Sequence, residues 1–286
     1  MKIRLAITTV FVAFLLFGVS AIDASPVNLG AASQFAVLAT TGTLTTSGGG
    51  SNRITGPVGI AGSGQAFAGN TTFNNTAYIH TGSTFGVSLG SGGQVIGPGN
   101  AQADALLASA VSDANTASTN ALSMQPTPNQ PDVAAGATVT LNGNTPGQTS
   151  YVYTIANVGM NATITINAPL GNTVIVNITG SVTSVTFLAT GGIRPQDILY
   201  NVTSPADINI AQNSAGIILA PAATVAINSR NLTGQVIAAS ITLTGGSSSI
   251  ISTAPVIPEP SSLSIVAIAT AAVLGHRFLR RRKSPG

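Results

Sequence analysis

The sequence predicts a mainly β protein: an irregular right-handed β-helix with one flanking α-helix, an N-terminal signal helix and a C-terminal hydrophobic helix. Three observations predict this fold class. Short runs rich in Val, Ile and Thr end at Gly or Asn-Gly along much of the chain. The tripeptides Ile-Thr-Gly and Leu-Thr-Gly recur at the ends of such runs, which indicates stacked rungs with small-residue corners. One segment, 100–124, has helical periodicity instead.

The N-terminus has the layout of a secretory signal peptide over residues 1–24. Lys2 and Arg4 precede an apolar run at 5–19, and small residues follow up to Ala21 and Ala24. Signal peptidase could cleave after either alanine, and the sequence does not choose between them. The alternative interpretation is a first transmembrane helix.

The predicted body, residues 25–255, carries little charge. Of the ten Lys and Arg residues, two lie in the first 24 residues and five near the C-terminus, which leaves Arg53, Arg194 and Arg230. Nucleic-acid binding needs a basic patch that displaces counterions from phosphate, so we exclude that class. The chain has no cysteine, which excludes disulfides, thiol catalysis and cysteine-based metal sites.

Strands of the body are predicted from two kinds of pattern. Apolar and polar residues alternate at 162–167, which is typical of a half-buried strand, whereas 173–178 is nearly all apolar and fits a strand covered on both faces. Other predicted strands lie at 138–143, 181–188 and 240–245. The spacing of the corner tripeptides is not strict, so an immunoglobulin-like sandwich stays open as an alternative.

The predicted helix at 100–124 has an apolar stripe. Its residues are spaced i, i+3, i+4, i+7 and i+8: Ala103, Leu106, Leu107, Ala110 and Val111. Gly97-Pro98-Gly99 precedes it and a proline-rich segment, 125–131, ends it. We expect the helix to pack along the flank of the β body; a partner-binding surface is the alternative.

The C-terminal segment 256–283 combines three features in a fixed order. A Pro-Glu-Pro tripeptide is followed by an apolar stretch at 263–275 and then by a basic tail, and the residues concerned are Pro258, Glu259, Pro260, Arg277, Arg280, Arg281, Arg282 and Lys283. A basic tail next to an apolar segment stays on the cytoplasmic side of the membrane, which places the tripeptide on the outer side. The 13-residue apolar stretch is short for a stable span of roughly 20 residues and suits a transient anchor. An ordinary C-terminal anchor is the alternative.

This tail resembles the PEP-CTERM sorting signal of exported Gram-negative proteins. The resemblance implies that an exosortase processes the chain at or near Pro258-Glu259-Pro260 while the apolar segment holds it in the membrane. The expected partners are therefore signal peptidase, exosortase and the membrane.

The body resembles two families. The motifs at 166–180, 197–202, 216–225 and 232–238 resemble the choice-of-anchor A domain, a β-helical surface module. The motifs at 27–38, 54–59 and 101–104 resemble the bacterial ice-binding adhesin-like family, whose β-helix also carries a helix along its side. A regular Thr-x-Thr ladder is not evident in the sequence.

Candidate catalytic residues are few and scattered. The body holds one histidine, His80, and five aspartates: Asp104, Asp113, Asp132, Asp197 and Asp207. No nucleophile elbow and no phosphate-binding loop accompany them. We therefore expect no catalytic residue, no cofactor and no metal. A carbonyl-lined calcium site at Asp197 or Asp207, and a hydrolase whose aspartates converge in the fold, stay open.

The predicted function is that of an exported, exosortase-processed structural or adhesive protein of the cell surface or extracellular matrix, without catalysis. An extracellular polysaccharide is its expected matrix partner, and nucleic acid is not. The alternative is an ice-binding protein that uses a flat, Thr-rich face of the solenoid.

Overall fold

The computed structural model of this 286-residue chain describes residues 27–47, 52–62, 65–66, 71–73, 75–85, 93–126, 130–228, 230–244 and 248–251. The predicted signal peptide and the sorting signal lie outside the described residues. One α-helix, α1, spans Ala101–Ser123, and 3-10 helices span Gly30–Gln34 and Pro195–Asp197. The strands are β1 Val37–Ala39, β2 Leu44–Ser47, β3 Asn52–Thr55, β4 Val58–Ile60, β5 Gln65–Ala66, β6 Thr71–Phe73, β7 Thr76–Ile79, β8 Thr84–Phe85, β9 Gln94–Ile96, β10 Thr138–Asn142, β11 Ser150–Ile155, β12 Ala162–Asn167, β13 Thr173–Ile178, β14 Ser184–Thr190, β15 Ile198–Val202, β16 Ile208–Ile210, β17 Ser214–Asn228, β18 Asn231–Thr244 and β19 Ser249–Ile251.

The strands stack as the rungs of a parallel β-solenoid. Seventeen of the described strands form one sheet, and β5 and β8 form a second. Successive turns of the chain pair in register and in parallel, for example β10 with β12 and β11 with β13. Immunoglobulin-like sandwiches are built from antiparallel pairs, so the sandwich alternative is wrong and the predicted mainly β solenoid is confirmed.

The order of the rungs in space differs from their order along the chain. Strand β18 pairs with β17 on one side and with β1 and β2 on the other. The chain therefore starts in the middle of the stack, runs to the end formed by β9, crosses to the end formed by β10, and returns to the middle. Val37 and Val236 become neighbours although about 200 residues separate them.

Helix α1 makes the crossing between the two ends. Its 23 residues span about 34 Å, and the eight strands stacked from β9 to β13 span about the same distance at the usual strand spacing. The side chain of Asn100 caps the helix by accepting hydrogen bonds from the backbone N–H groups of Gln102 and Ala103, each at 3.1 Å. The predicted helix is confirmed, and the length of the stack explains its length.

The buried side of α1 differs in part from the predicted stripe. Leu106 and Val111 are only half-buried. The buried positions continue instead along the whole helix, and all of them except Leu107 are small: Ala103, Leu107, Ala110, Ala114, Ala117, Ser118 and Ala121. Small side chains allow a close approach to the sheet, so α1 packs on the flank as predicted.

Two hydrophobic clusters hold the solenoid together. The first fills its interior, and the second lies between α1 and the outer side of the strands beneath it, with Leu38, Leu199 and Ile237 among its residues. Strand β13 is covered on both faces, whereas the side chains of β12 alternate between buried and half-buried, both as predicted. The strands without a covering helix therefore present one side to solvent.

We call this solvent-facing side the open face. It consists of the outward side chains of β10, β12, β14, β16, the segment 224–228 of β17, the segment 240–244 of β18, and β2, which pair in that order. None of the described helices is both long and apolar enough to cross a membrane.

The corner tripeptides are equivalent in two of their four occurrences. Ile250 of β19 pairs with Leu232 on one side and with Ile54 on the other, so 54–56 and 232–234 occupy the same corner of the solenoid. The copy that begins at Ile178 lies on the strand beneath the helix, and the copy that begins at Leu243 lies on the open face. The recurrence therefore marks an equivalent corner in two of the four copies, and the other two lie at different positions of the rung.

Candidate functional site

The aspartates at the helix are structural. Asp104 accepts hydrogen bonds from the backbone N–H of Thr81 at 2.9 Å and from its hydroxyl at 2.5 Å. These hydrogen bonds, the one from the hydroxyl first, hold the pKa of Asp104 below its ordinary value. Asp113 accepts a 2.7 Å hydrogen bond from the backbone N–H of Ala31. Both residues therefore tie α1 to the solenoid.

Two further aspartates also have local partners. Asp132 accepts hydrogen bonds from the backbone and side-chain amides of Asn157, both at 2.9 Å, and buried Asp197 pairs with Arg194 at 2.9 and 3.2 Å. His80 has a buried Nδ1 atom without a hydrogen-bond partner among the described residues. In the same part of the chain, no three His, Asp or Glu side chains come close enough to hold a metal ion. His80 lies close enough to Asp104 to contribute, after the hydrogen bonds from Thr81, to the lowering of the Asp104 pKa, but the Asp104 carboxylate is bonded to Thr81, and no hydrogen bond joins the two side chains among the described residues.

Threonines form a short array at one end of the open face. The exposed Thr138 of β10 pairs with the half-buried Thr163 of β12, which pairs with Thr186 of β14, whose side chain is buried. Thr140 and Thr165 pair beside them, but Leu188 takes the third place in that row. A second threonine pair, Thr45 with Thr242, lies at the other end of the face. The ladder that the sequence does not reveal is therefore present in two pieces.

The middle of the open face interrupts the array. Here Asn209 of β16 pairs with Ala226 of β17, and Asn228 pairs with Thr244 of β18. Asn228 donates to the Asn209 Oδ1 atom at 3.1 Å and accepts a hydrogen bond from the Thr244 hydroxyl. A similar bond joins Asn167 to Asn142 at 3.0 Å. These amide ladders fix the outward side chains from one rung to the next.

Two cavities open in this middle region, and we call them together the groove. The larger has a volume of about 520 Å³ and is lined by Asn161, Thr186, Leu188, Ala211, Gln212, Asn213 and Arg230. The smaller, of about 370 Å³, is lined by Met160, Asn161, Thr183, Ser184, Asp207, Ile208, Asn209 and Ala226. Asn161 lines both, and its φ of +58° places its backbone in the left-handed region. Its Oδ1 atom accepts a 2.9 Å hydrogen bond from the Ser184 hydroxyl, which orients the amide.

The groove combines two charges with two exposed apolar side chains. Arg230 donates from Nε to the backbone carbonyl of Ala211 at 2.8 Å, so its side chain is held at the larger cavity. Asp207 lines the smaller cavity. Leu188 is 38 % exposed and Met160 is 59 % exposed.

A family model described as "Putative Ice-binding-like adhesive domain" matches residues 18–250. The chain belongs to this ice-binding-like adhesive domain family. The resemblance of the first half to ice-binding adhesins is thus confirmed. The match ends at residue 250, so the sorting signal at 256–283 stays a prediction, as does the choice-of-anchor A resemblance.

Solved structures of similar fold are ice-binding proteins. The ice-binding protein LeIBP from Arctic yeast is 19 % identical with a TM-score of 0.56, over 84 % of this chain and 99 % of that one. An ice-binding protein from an Antarctic bacterium of the Flavobacteriaceae is 21 % identical with a TM-score of 0.50, over 79 % of this chain and 46 % of that one. No curated protein matches the chain. At these identities the solved structures establish the shared solenoid fold alone.

Sequence reasoning missed the residues of the groove. Asn161 is only part of an Asn-x-Thr tripeptide, Gln212 and Asn213 belong to no motif apparent in the sequence, and Leu188 is only the last residue of a predicted strand. The positive φ of Asn161 and the gap between β14 and β17 appear only when the rungs are stacked. Of the scattered aspartates, Asp207 alone lines the groove.

Proposed function

We propose that the protein is an exported, non-catalytic adhesive protein of the cell surface or extracellular matrix. The observation that carries the proposal is the open face, a wide polar surface fixed by hydrogen bonds between rungs and indented by a groove. Such a surface is organised for contact rather than for chemistry, because the described residues place no acid/base pair or metal cluster on it. Membership of an adhesive-domain family supports the same role.

The proposed route of export uses both ends of the chain. Signal peptidase removes 1–24, the apolar segment 263–275 holds the chain transiently in the inner membrane, and exosortase cuts at or near Pro258-Glu259-Pro260. The basic tail, which contains Arg277, stays on the cytoplasmic side until the cut.

Replacing Pro258, Glu259 and Pro260 by alanine is expected to trap the protein in the membrane. Without the tripeptide the sorting enzyme has no site, so the basic tail stays attached. Membrane and released fractions of an exosortase-bearing Gram-negative host, followed by mass spectrometry of the C-terminus, measure the change. Replacing the adjacent Ser261 and Ser262 by alanine is the matched control and should leave release normal. Normal release of the first variant would contradict the exosortase route.

Ice binding is the second candidate, and the threonine array of β10, β12 and β14 favours it. The solved neighbours include proteins described as ice-binding. The array covers only part of the open face, because its third threonine, Thr186, is buried and lines the larger of the two cavities, of about 520 and 370 Å³, that interrupt the surface. An indented face makes few contacts with the flat surface of an ice crystal, so we place adhesion before ice binding.

Thermal hysteresis of the purified protein separates the two candidates. We expect little or none, because the threonine array is short. A clear hysteresis gap that disappears in Thr163→Tyr would establish ice binding instead. Thr119→Tyr, on the exposed side of α1, is the control and should not change the hysteresis in either case.

A further inference from the structure

The groove crosses several rungs of the open face. Its lining starts at Asn161 before β12, continues through β14 and β16, and ends at Ala226 on β17. Three strand spacings separate β12 from β17, which corresponds to about 14 Å. The two cavities, which share Asn161, together extend across these rungs, so they suit an extended ligand that lies across the strands.

The lining offers paired hydrogen-bonding groups. Asn161, Gln212 and Asn213 carry amides with donor and acceptor atoms, and the Oδ1 atoms of Asn161 and Asn213 already accept hydrogen bonds from the Ser184 hydroxyl and the Asn231 N–H. Thr183 and Ser184 add hydroxyls in the smaller cavity. A ligand matched to this lining carries many groups that both donate and accept, as hydroxyls do.

Exposed apolar side chains accompany the polar lining. Leu188 lies in the larger cavity and Met160 in the smaller, and each leaves a large part of its surface to solvent. Only four large apolar side chains among the described residues are exposed to this degree, the other two being Leu122 and Leu170. Two of the four therefore lie in the groove, whose larger cavity is polar and apolar in similar parts and whose smaller cavity is mainly apolar, and a ligand with apolar C–H surfaces would cover them.

The charges exclude other classes of ligand. The groove holds one cation, Arg230, and one anion, Asp207, so it lacks the basic cluster that a nucleic acid or polyphosphate needs. Its amides and hydroxyls would lose their hydrogen bonds to water beneath a wholly apolar ligand.

We propose that the groove binds a saccharide chain. Pyranose rings combine a rim of hydroxyls with C–H faces, and these match the amide lining and the exposed Leu188 and Met160. This inference rests on the proposed adhesive function and names the ligand class of its surface. Arg230, held beside the larger cavity through its bond to the Ala211 carbonyl, can recognise a carboxylate where the saccharide carries one.

Binding is measured on the full chain, kept soluble in a zwitterionic detergent whose head group contains neither sugar nor polyoxyethylene. The probes are cellohexaose, a neutral hexasaccharide, and hexagalacturonate, a carboxylated one, and a polyethylene glycol of similar length is the control. Isothermal calorimetry and saturation-transfer NMR are expected to show binding of at least one hexasaccharide, with a Kd of about 0.1–1 mM. Tighter binding of hexagalacturonate would show that the groove recognises a carboxylate. Equal binding of both hexasaccharides would show that it recognises the uncharged part of the sugar ring.

Four matched variants locate the site. Leu188→Ala and Met160→Ala are expected to weaken binding about fivefold or more, because each removes an apolar contact in the groove. Leu122→Ala and Leu170→Ala remove equally exposed apolar side chains elsewhere and should leave the Kd unchanged. Two results would overturn the proposal: no binding of either hexasaccharide at about 10 mM, or equal effects of all four variants.

The same variants separate this inference from the adhesive function. Export and surface display in the host report on the function and do not require the groove. Normal display without saccharide binding would overturn the groove assignment alone, whereas failure of display would overturn the proposed function.

Discussion

Replacing Gly234 by alanine is expected to abolish stable folding of the solenoid. Gly234 has a φ of +147° and pairs with Gly216 of the neighbouring rung, whose φ is +128°. A methyl group at Gly234 would lie 1.9 Å from the backbone oxygen of Gly216 and 2.7 Å from its carbonyl carbon. Both atoms belong to the backbone of a paired strand, so relief requires the two rungs to separate. We expect a loss of about 4 kcal/mol or more in the free energy of unfolding.

Urea denaturation followed by circular dichroism measures this loss. Gly147→Ala is the control, because Gly147 also has a positive φ, of +82°, but has open space where the methyl group would be. It should cost only the conformational penalty of about 1–2 kcal/mol. If Gly234→Ala fails to accumulate as soluble protein while Gly147→Ala accumulates, this result also shows that a side chain at Gly234 prevents stable folding. Equal stability of the two variants would show that the stacked corner tolerates a side chain.

Replacing Asn201 by leucine is expected to destabilise the packing between α1 and the sheet. Asn201 is fully buried. It accepts a 2.6 Å hydrogen bond from the Ser118 hydroxyl, and its Nδ2 atom donates to the Ser118 carbonyl at 3.0 Å and to the Asn177 Oδ1 atom at 2.8 Å. Leucine would leave the Ser118 hydroxyl and the Asn177 carbonyl oxygen buried without these partners. We expect a loss of about 2–4 kcal/mol, measured by urea denaturation.

A triple variant tests whether the loss comes from unpaired polar groups. The rungs that follow carry Leu219, Ile237 and Leu38 at the position of Asn201, so an apolar side chain fits this site. Adding Ser118→Ala and Asn177→Leu to Asn201→Leu removes the hydroxyl and the side-chain carbonyl that the single change leaves unpaired. It also removes the 2.8 Å hydrogen bond from Asn177 Nδ2 to the Ala121 carbonyl, which keeps its 3.4 Å bond from the Met124 N–H, so stability should recover only part of the loss. A triple variant less stable than the single variant would show that the polar cluster itself stabilises the helix.

Local structure could be predicted well in the second half of the chain. Strands β12 and β13 have the predicted bounds, and β10 ends one residue before its predicted end. Helix α1 was identified from its periodicity and its flanking prolines. These elements depend on alternation, apolar content and caps within a few residues, which are properties of short segments.

Register and rung order could not be predicted. The rung length falls from 25 residues between Thr138 and Thr163 to 16 between Val225 and Ile241, so no fixed period marks equivalent positions. The pairing of β2 with β18 joins opposite ends of the chain. The threonine array and the groove both depend on these pairings, which is why neither was apparent beforehand.

The sequence by itself determined the class of the fold, the helix and the low charge of the body, because strand alternation, helix caps and composition are local properties. It also carries the sorting motif at Pro258-Glu259-Pro260, whose role stays a prediction. Only the tertiary structure decided which side of the solenoid is open, where its threonines align, and that Asn161 and Arg230 line one groove. The physical reason is that these properties arise from contacts between rungs, and those contacts join residues up to about 200 positions apart.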